Sequence, residues 1–468
     1  MKFSPKPNQL EAIRHGIQRP IRAWFIEMGL GKTAACLAVW EHLFAEGVLK
    51  GVLVVAPLRV ATLTWPNEVE KWDDFRWMRV ANLRTKEGIQ AWKEGTAEIF
   101  CINYEMLAKF AAEHIQGTKI QDLPVNEVFF DEIDNAKGPG SKRINEFRRL
   151  TRRRSQGKVR RIFPRWGGMT GTPIANDRTD IFAQIRLLDD GERYGTAFTT
   201  WRTTHFEVIN PYSDWPKFRI REGHKEILEE QIADIALVQR AKDHQDWDPP
   251  HFEEIECPLP TKAITAYQQL EKELLAELDN GAEVAAVSAG VLAGKLLQLA
   301  GGAVYTREHE EAPKVVQGVH DAKIDAAVAF QRAHPGEPLL VGYWFQHERD
   351  RLLAGLDGAE VFSEDKLAAW NRGEIPVLLG HPKSMGHGLN MQDGGKTVLW
   401  FTRPWSPRLF DQYNARLARR GQCHTVRVVS LVAPNTIDIA VGEALRSKGD
   451  DQSAFMQTLQ NLQRMHRV

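Results

Sequence analysis

Apolar residues in the first 190 positions fall into short runs separated by stretches with helical spacing. That alternation predicts a parallel β-sheet with crossover helices. The runs lie at residues 23–26, 52–56, 98–102, 128–130 and 167–170, and each stops where a glycine, proline or acidic residue starts a turn. A second alternating block begins near Asp321, with a helix to His334 and apolar strands at residues 339–344, 377–380, 397–401 and 425–431. The pattern reads as α/β, with one parallel-sheet lobe over residues 1–204 and another over 316–468. Residues 205–315 break the rhythm: a polar, helix-rich passage covers 262–299 and a junction stands at Asp248-Pro249-Pro250. They are expected to form a helical insertion or connector. Ligands of open parallel sheets bind beyond the carboxyl ends of the strands, so the turns there are where chemistry is sought.

A chain of 468 residues is long for one core, since single cores stop growing at roughly 250–300 residues. Its 43% hydrophobic and 26% charged content fits a globular protein. The 61 basic and 61 acidic residues cancel, so attraction to a polyanion has to be local. One stretch, residues 141–165, is one-sided: Lys142, Arg143, Arg148, Arg149, Arg152, Arg153, Arg154, Lys158, Arg160, Arg161 and Arg165 face only Glu146. Such a run could neutralise several phosphates, or be a solvated helix and loop; the pattern leaves both open. Cys36, Cys101, Cys257 and Cys423 stand far apart without ligand spacing, which argues against zinc and disulfides and for a reducing cytoplasm. The amino terminus lacks an apolar signal core and the longest apolar runs are far too short to span a bilayer. The chain is therefore expected inside the cell and off the membrane.

Glu27-Met28-Gly29-Leu30-Gly31-Lys32-Thr33 follows the first strand and opens a helix. Glycines let such a loop curl its amides, with the helix amino terminus, toward phosphate oxygens. Lys32 would then reach the β and γ phosphates and the Thr33 hydroxyl would hold magnesium. The strict phosphate-loop pattern is broken, because Ile26 takes the place of its first glycine. After the apolar run at 128–130 come Asp131 and Glu132. Asp131 would complete the magnesium shell, and Glu132 would orient and deprotonate the water that attacks the γ-phosphate.

These residues resemble the Swi/Snf-type branch of the superfamily 2 helicases, whose core is two RecA-like lobes of the P-loop class. Lys6-Pro7-Asn8-Gln9 resembles the upstream adenine-reading segment, with Gln9 as base contact. Residues 52–72 are similar to the next motif, whose turn at Pro57 lies along a DNA strand. Asn103-Tyr104-Glu105 matches the segment after the third strand. Asp131-Glu132-Ile133-Asp134 replaces the usual Asp-Glu-Ala-His box, and Asp134 departs from the histidine to which coupling is attributed. The run from Met169 to Asn176, including Thr170, Gly171 and Thr172, is close to the motif that links hydrolysis to lobe movement. Gly386-His387-Gly388-Leu389-Asn390 follows in the second lobe, with Gly388 at the nucleotide, Asn390 in coupling and His387 a minor candidate. Gln412, Arg416, Arg419 and Gln422 match the QxxxRxxRxGQ element in order and spacing. Arg416 and Arg419, three apart, would share one helix face and serve as arginine fingers. The compact build resembles versions common in bacteriophages.

What the resemblance implies is a DNA-dependent ATPase using ATP and Mg2+, closing a cleft on ATP and reopening it on hydrolysis. It would translocate along double-stranded DNA without sequence preference. A strand-separating DNA or RNA helicase and an ATP-gated clamp with little turnover remain the alternatives; a metabolic kinase would not need the second-lobe arginines.

Overall fold

The computed structural model describes residues 1–136, 141–155, 158–174, 178–209, 218–243, 248–279, 285–306, 315–385, 389–419 and 421–447. By compactness the chain divides into a unit built on residues 1–245 and a unit of residues 246–449.

The first unit holds a seven-stranded sheet, paired in parallel throughout. Its strands are β1 (Ile21–Ile26), β2 (Val52–Ala56), β3 (Val80–Asn82), β4 (Ile99–Asn103), β5 (Glu127–Asp131), β6 (Arg165–Thr170) and β7 (Ala236–Gln239), in the spatial order β7-β1-β6-β5-β2-β4-β3. Strands β2, β4 and β5 are buried along their whole length. Helices cover both faces, which is why these strands read as continuous apolar runs. Helix α1 (Pro7–Gln18) precedes β1, α2 (Lys32–Ala45) follows it, and α3 (Trp65–Lys71) follows β2. Among the first unit's fully buried side chains, Trp40 stacks on Trp65 with centroids 5.0 Å apart, and Phe129 stands edge-on to both.

The second unit holds a six-stranded parallel sheet of β8 (His251–Glu256), β9 (Leu339–Gly342), β10 (Ala359–Val361), β11 (Val377–Gly380), β12 (Thr397–Trp400) and β13 (Arg427–Val432). Their order is β8-β13-β12-β9-β11-β10. The edge strand β8 alternates exposed and half-buried residues and carries three glutamates in His-Phe-Glu-Glu-Ile-Glu, a charge pattern that discourages pairing with another chain.

The stretch 205–315, expected as a connector, contributes a strand to each sheet. Residues Ala236–Gln239 pair with β1 and His251–Glu256 with β13, and the division between the units falls between them. Its helical part, Thr261–Asp279 and Ala285–Ala300, belongs to the second unit, where Tyr267, Leu296 and Ala300 share a small core with Ala433.

Candidate nucleotide site

Three turns meet at the carboxyl edge of the first sheet, because β1 and β5 flank β6. The loop after β1 carries two glycines in the left-handed region, Gly29 at φ 80° and Gly31 at φ 77°, which side chains rarely adopt. Gly31 is the residue before α2, and a Cβ there would collide with the Gln9 side chain. Lys32 and Thr33 open α2 and are half-buried. The Lys32 ammonium folds back over its own loop, donating to the carbonyls of Ile26 at 2.7 Å and Glu27 at 3.3 Å. Leu30 turns its side chain into the core, and Met28 packs where a Cβ on Gly171 would sit, 3.3 Å from its Cγ.

The first turn of α1 is fastened to that loop. Asn8 Nδ2 donates to Leu30 O at 3.0 Å, and Gln9 Nε2 donates to Gly31 O at 3.1 Å while its Oε1 accepts from the Lys6 amide. On the other side β7 joins in: Gln239 Nε2 donates to Asn8 O at 2.7 Å, and the Ala241 amide donates to the Glu27 carboxylate at 2.8 Å. Burial raises the Glu27 carboxyl above the usual range, opposed by the Ala241 amide and Arg240.

Asp131 ends β5 as a buried carboxylate. Burial and the adjacent Glu132 charge push its carboxyl well above the ordinary range, against the pull of Lys32 and a hydrogen bond from Trp65 Nε1 at 3.1 Å. Glu132 sits at φ 54°, a left-handed backbone that costs a residue with a side chain roughly 1–2 kcal/mol. The Tyr104 hydroxyl holds that turn, donating to the carbonyls of Asp131 at 3.0 Å and Glu132 at 3.1 Å.

Between loop and carboxylates lies the turn after β6. The Thr170 hydroxyl stands 3.1 Å from Asp134 Oδ1 and 3.4 Å from Glu132 Oε2, and the Thr172 hydroxyl 3.5 Å from Asp134 Oδ2. Asp134 is fully buried, so the residue that departs from the Swi/Snf box joins it to the Thr-Gly-Thr turn. Pro57 follows β2, and its carbonyl accepts the Ala61 amide at 2.9 Å.

In the second unit Arg416 and Arg419 do not lie on a helix. Helix α4 ends at Asn414 (Pro407–Asn414), and the chain continues in turns closed by short-range bonds such as Leu417 N to Asn414 O and Ala418 N to Asn414 O. The two guanidinium groups still converge, each donating to the Leu389 carbonyl, at 3.1 Å and 3.0 Å. Asn390 is exposed beside them, and its carbonyl accepts Asn371 Nδ2 at 2.8 Å. Gly386, His387 and Gly388 lie outside the described residues, as do Ala175 and Asn176.

Much of the basic stretch is engaged internally. Arg148 and Arg152 both pair with Asp190, Arg161 donates to the carbonyls of Leu187 and Leu188, and Arg165 is buried against Glu127 at 2.8 Å. Lys142, Arg143, Arg149 and Arg160 are exposed, though Arg143 and Arg149 pair with Glu105 and Glu146. Sequence reasoning gave no role to Trp65, Tyr104, Asn8 or Glu27; all four lie inside quoted motifs, but only the folded chain shows what they touch. No helix among the described residues is long and apolar enough to cross a membrane, and no group of three or more His, Cys, Asp or Glu there could hold a metal.

The profile of the SNF2-related domain matches residues 25–299. The chain is 32% identical to putative protein p41 of Acyrthosiphon pisum secondary endosymbiont phage 1, over 98% of this chain and 99% of that one. It is 24% identical to the nuclear protein STH1/NPS1 of Saccharomyces cerevisiae over 92% of its length, and spans 33% of that protein. A solved Sulfolobus solfataricus SWI2/SNF2 ATPase core in complex with dsDNA is similar at 17% identity with a TM-score of 0.45, covering 99% of this chain and 97% of that one.

Proposed function

The chain belongs to the SNF2-related domain family, and on that premise we propose that it is an ATP-driven motor that moves along double-stranded DNA. The observation that carries the proposal is the meeting, on three neighbouring strands, of the Lys32 loop, the Asp131 and Glu132 carboxylates and the Thr170 and Thr172 hydroxyls.

In this reading Lys32 leaves the carbonyls of Ile26 and Glu27 for the β and γ phosphates of ATP, and the amides of Gly29 to Thr33 surround them. Gln9, fixed beside Gly31, faces the base. Two adjacent buried carboxylates disfavour each other's charge, a repulsion that a bound divalent cation would relieve, and hard oxygen donors suit Mg2+. Asp131 and Thr33 would hold it, and when bound it neutralises charge on the phosphate oxygens. Glu132 takes the proton from the attacking water. Its strained backbone, held by Tyr104, fixes the direction of that carboxylate. The hydrogen bonds from Thr170 and Thr172 to Asp134 carry the change at the γ-phosphate into the turn after β6. Arg416 and Arg419 stabilise charge on the departing phosphoryl group, and Pro57 and Asn390 lie toward the DNA.

ATP turnover measured with no nucleic acid, duplex DNA, single-stranded DNA and RNA tests this. Strong stimulation by duplex above the other arms is expected. Selective stimulation by single strands, with unwinding of a forked duplex, would point to a strand-separating helicase. ATP-dependent DNA binding without turnover would point to a clamp.

A further inference from the structure

The segment that follows β2 is wound in an unusual way. Residues Val60–Thr64 form a π-helix, and the Trp65 amide bonds to the Val60 carbonyl five residues back. Pro66 comes next and has no amide to offer an ordinary turn, so the wide turn runs directly into α3. Such turns are rare and frequently lie at functional sites. This one rolls Trp65 fully inward, stacked on Trp40 from the helix that starts at Lys32, with the indole Nε1 donating to Asp131 Oδ2 at 3.1 Å. On the same segment Leu58 and Leu63 are 42% and 38% exposed. One short piece of chain therefore presents an outward face beyond the sheet edge and an inward hydrogen bond to a site carboxylate.

Packing alone does not require that bond. A phenylalanine fills most of the same space against Trp40, whereas only the indole supplies a donor. We infer that Trp65 is a positioning residue that ties the segment after Pro57 to the Asp131 carboxylate, so that DNA lying on the segment sets the orientation of the carboxylate that holds the metal. The first half of the inference rests on the contacts above, and the second half on the DNA reading of the proposed function.

Trp65→Phe keeps the stack and removes the donor. A fluorescent ADP analogue is titrated with Mg2+ and with EDTA, and duplex stimulation of ATP turnover is measured beside it. Trp72→Phe is the control, since the Trp72 indole donates to Glu68 at the far end of the same helix. A hydrogen bond to a charged group lost at Asp131 predicts that the gain in affinity conferred by Mg2+ falls about tenfold, with affinity in EDTA unchanged. The stimulation factor falls with it, and Trp72→Phe does neither. A wild-type Mg2+ gain in Trp65→Phe would overturn the inference. So would equal losses with and without Mg2+ accompanied by a lowered Tm, which would make Trp65 a packing residue only. If the wild-type protein is not stimulated by duplex, the DNA reading and the second half fall together, while the Mg2+ comparison still decides the bond to Asp131.

Discussion

Glu127→Gln is a demanding test of how the first unit is held together. Glu127 begins β5, the strand that delivers Asp131 at its other end. Its carboxylate is fully buried and accepts from Arg22, from Trp40 Nε1 at 2.9 Å and from Arg165 Nε at 2.8 Å; Arg22 too is fully buried, over the ring of Phe129 at 5.2 Å. Glutamine keeps the volume but leaves two buried guanidinium groups without a counter-charge. Removing one partner of a buried ion pair costs about 3–5 kcal/mol, a large share of the roughly 5–15 kcal/mol that a domain has in all. The pH dependence has a definite sign. Burial raises the Glu127 carboxyl, but Arg22 and Arg165 outweigh it and hold the group below its ordinary range. Its contribution is therefore fully present above the unfolded carboxylate value of about 4.3, and is lost as pH falls through the lower folded value. Urea unfolding followed by tryptophan fluorescence reads the difference between wild type and variant. A difference below about 1 kcal/mol at neutral pH, or one that grows on acidification, would show that the Glu127 charge does not hold Arg22 and Arg165 in place.

Within the candidate nucleotide site, Lys32→Ala is expected to lose ATP binding, whereas Glu132→Gln is expected to bind ATP and slow turnover by about 10²–10⁴; equilibrium binding beside steady-state turnover separates the two. Wild-type turnover in Glu132→Gln would remove it as the base. Asp134→Asn weakens the acceptor for Thr170 and Thr172, at about 1.5–3 kcal/mol for bonds to a charged group. DNA-stimulated turnover should then fall about tenfold while ATP binding persists, as the same pair of assays would read.

The strands that the hydrophobic pattern located are those buried on both faces. Residues 52–56 and 128–130 stand out because every position is apolar, and the sheet buries all of them. Strand β8 escaped because an edge strand has no such run: its glutamates and the prolines before it read as linker. Strand β7 is buried, but helices Asp180–Asp189, Phe198–His205 and His224–Glu230 stand between it and β6 in sequence, and nothing local says that it returns to lie beside β1. The basic stretch misleads for the same reason. Its counter-charges, Glu127 and Asp190, lie outside it in sequence, so the run reads as phosphate-binding or solvated until the chain folds. At the site, the glycine loop and the Asp-Glu pair were legible because backbone freedom and charge are properties of residue type. The bond from Trp65 to Asp131 and the hydroxyl bridge to Asp134 were not, since they depend on a wide turn and on the order of neighbouring strands.

The proposed motor requires Arg416 and Arg419 to act on the triphosphate that the Lys32 loop would hold. The direct measurement is ATP turnover of Arg416→Ala and Arg419→Ala at saturating duplex DNA, with nucleotide affinity determined on the same preparations. Fingers that act in the transition state predict turnover reduced by about 10³ or more with affinity nearly unchanged. Wild-type turnover in both variants would contradict the claim.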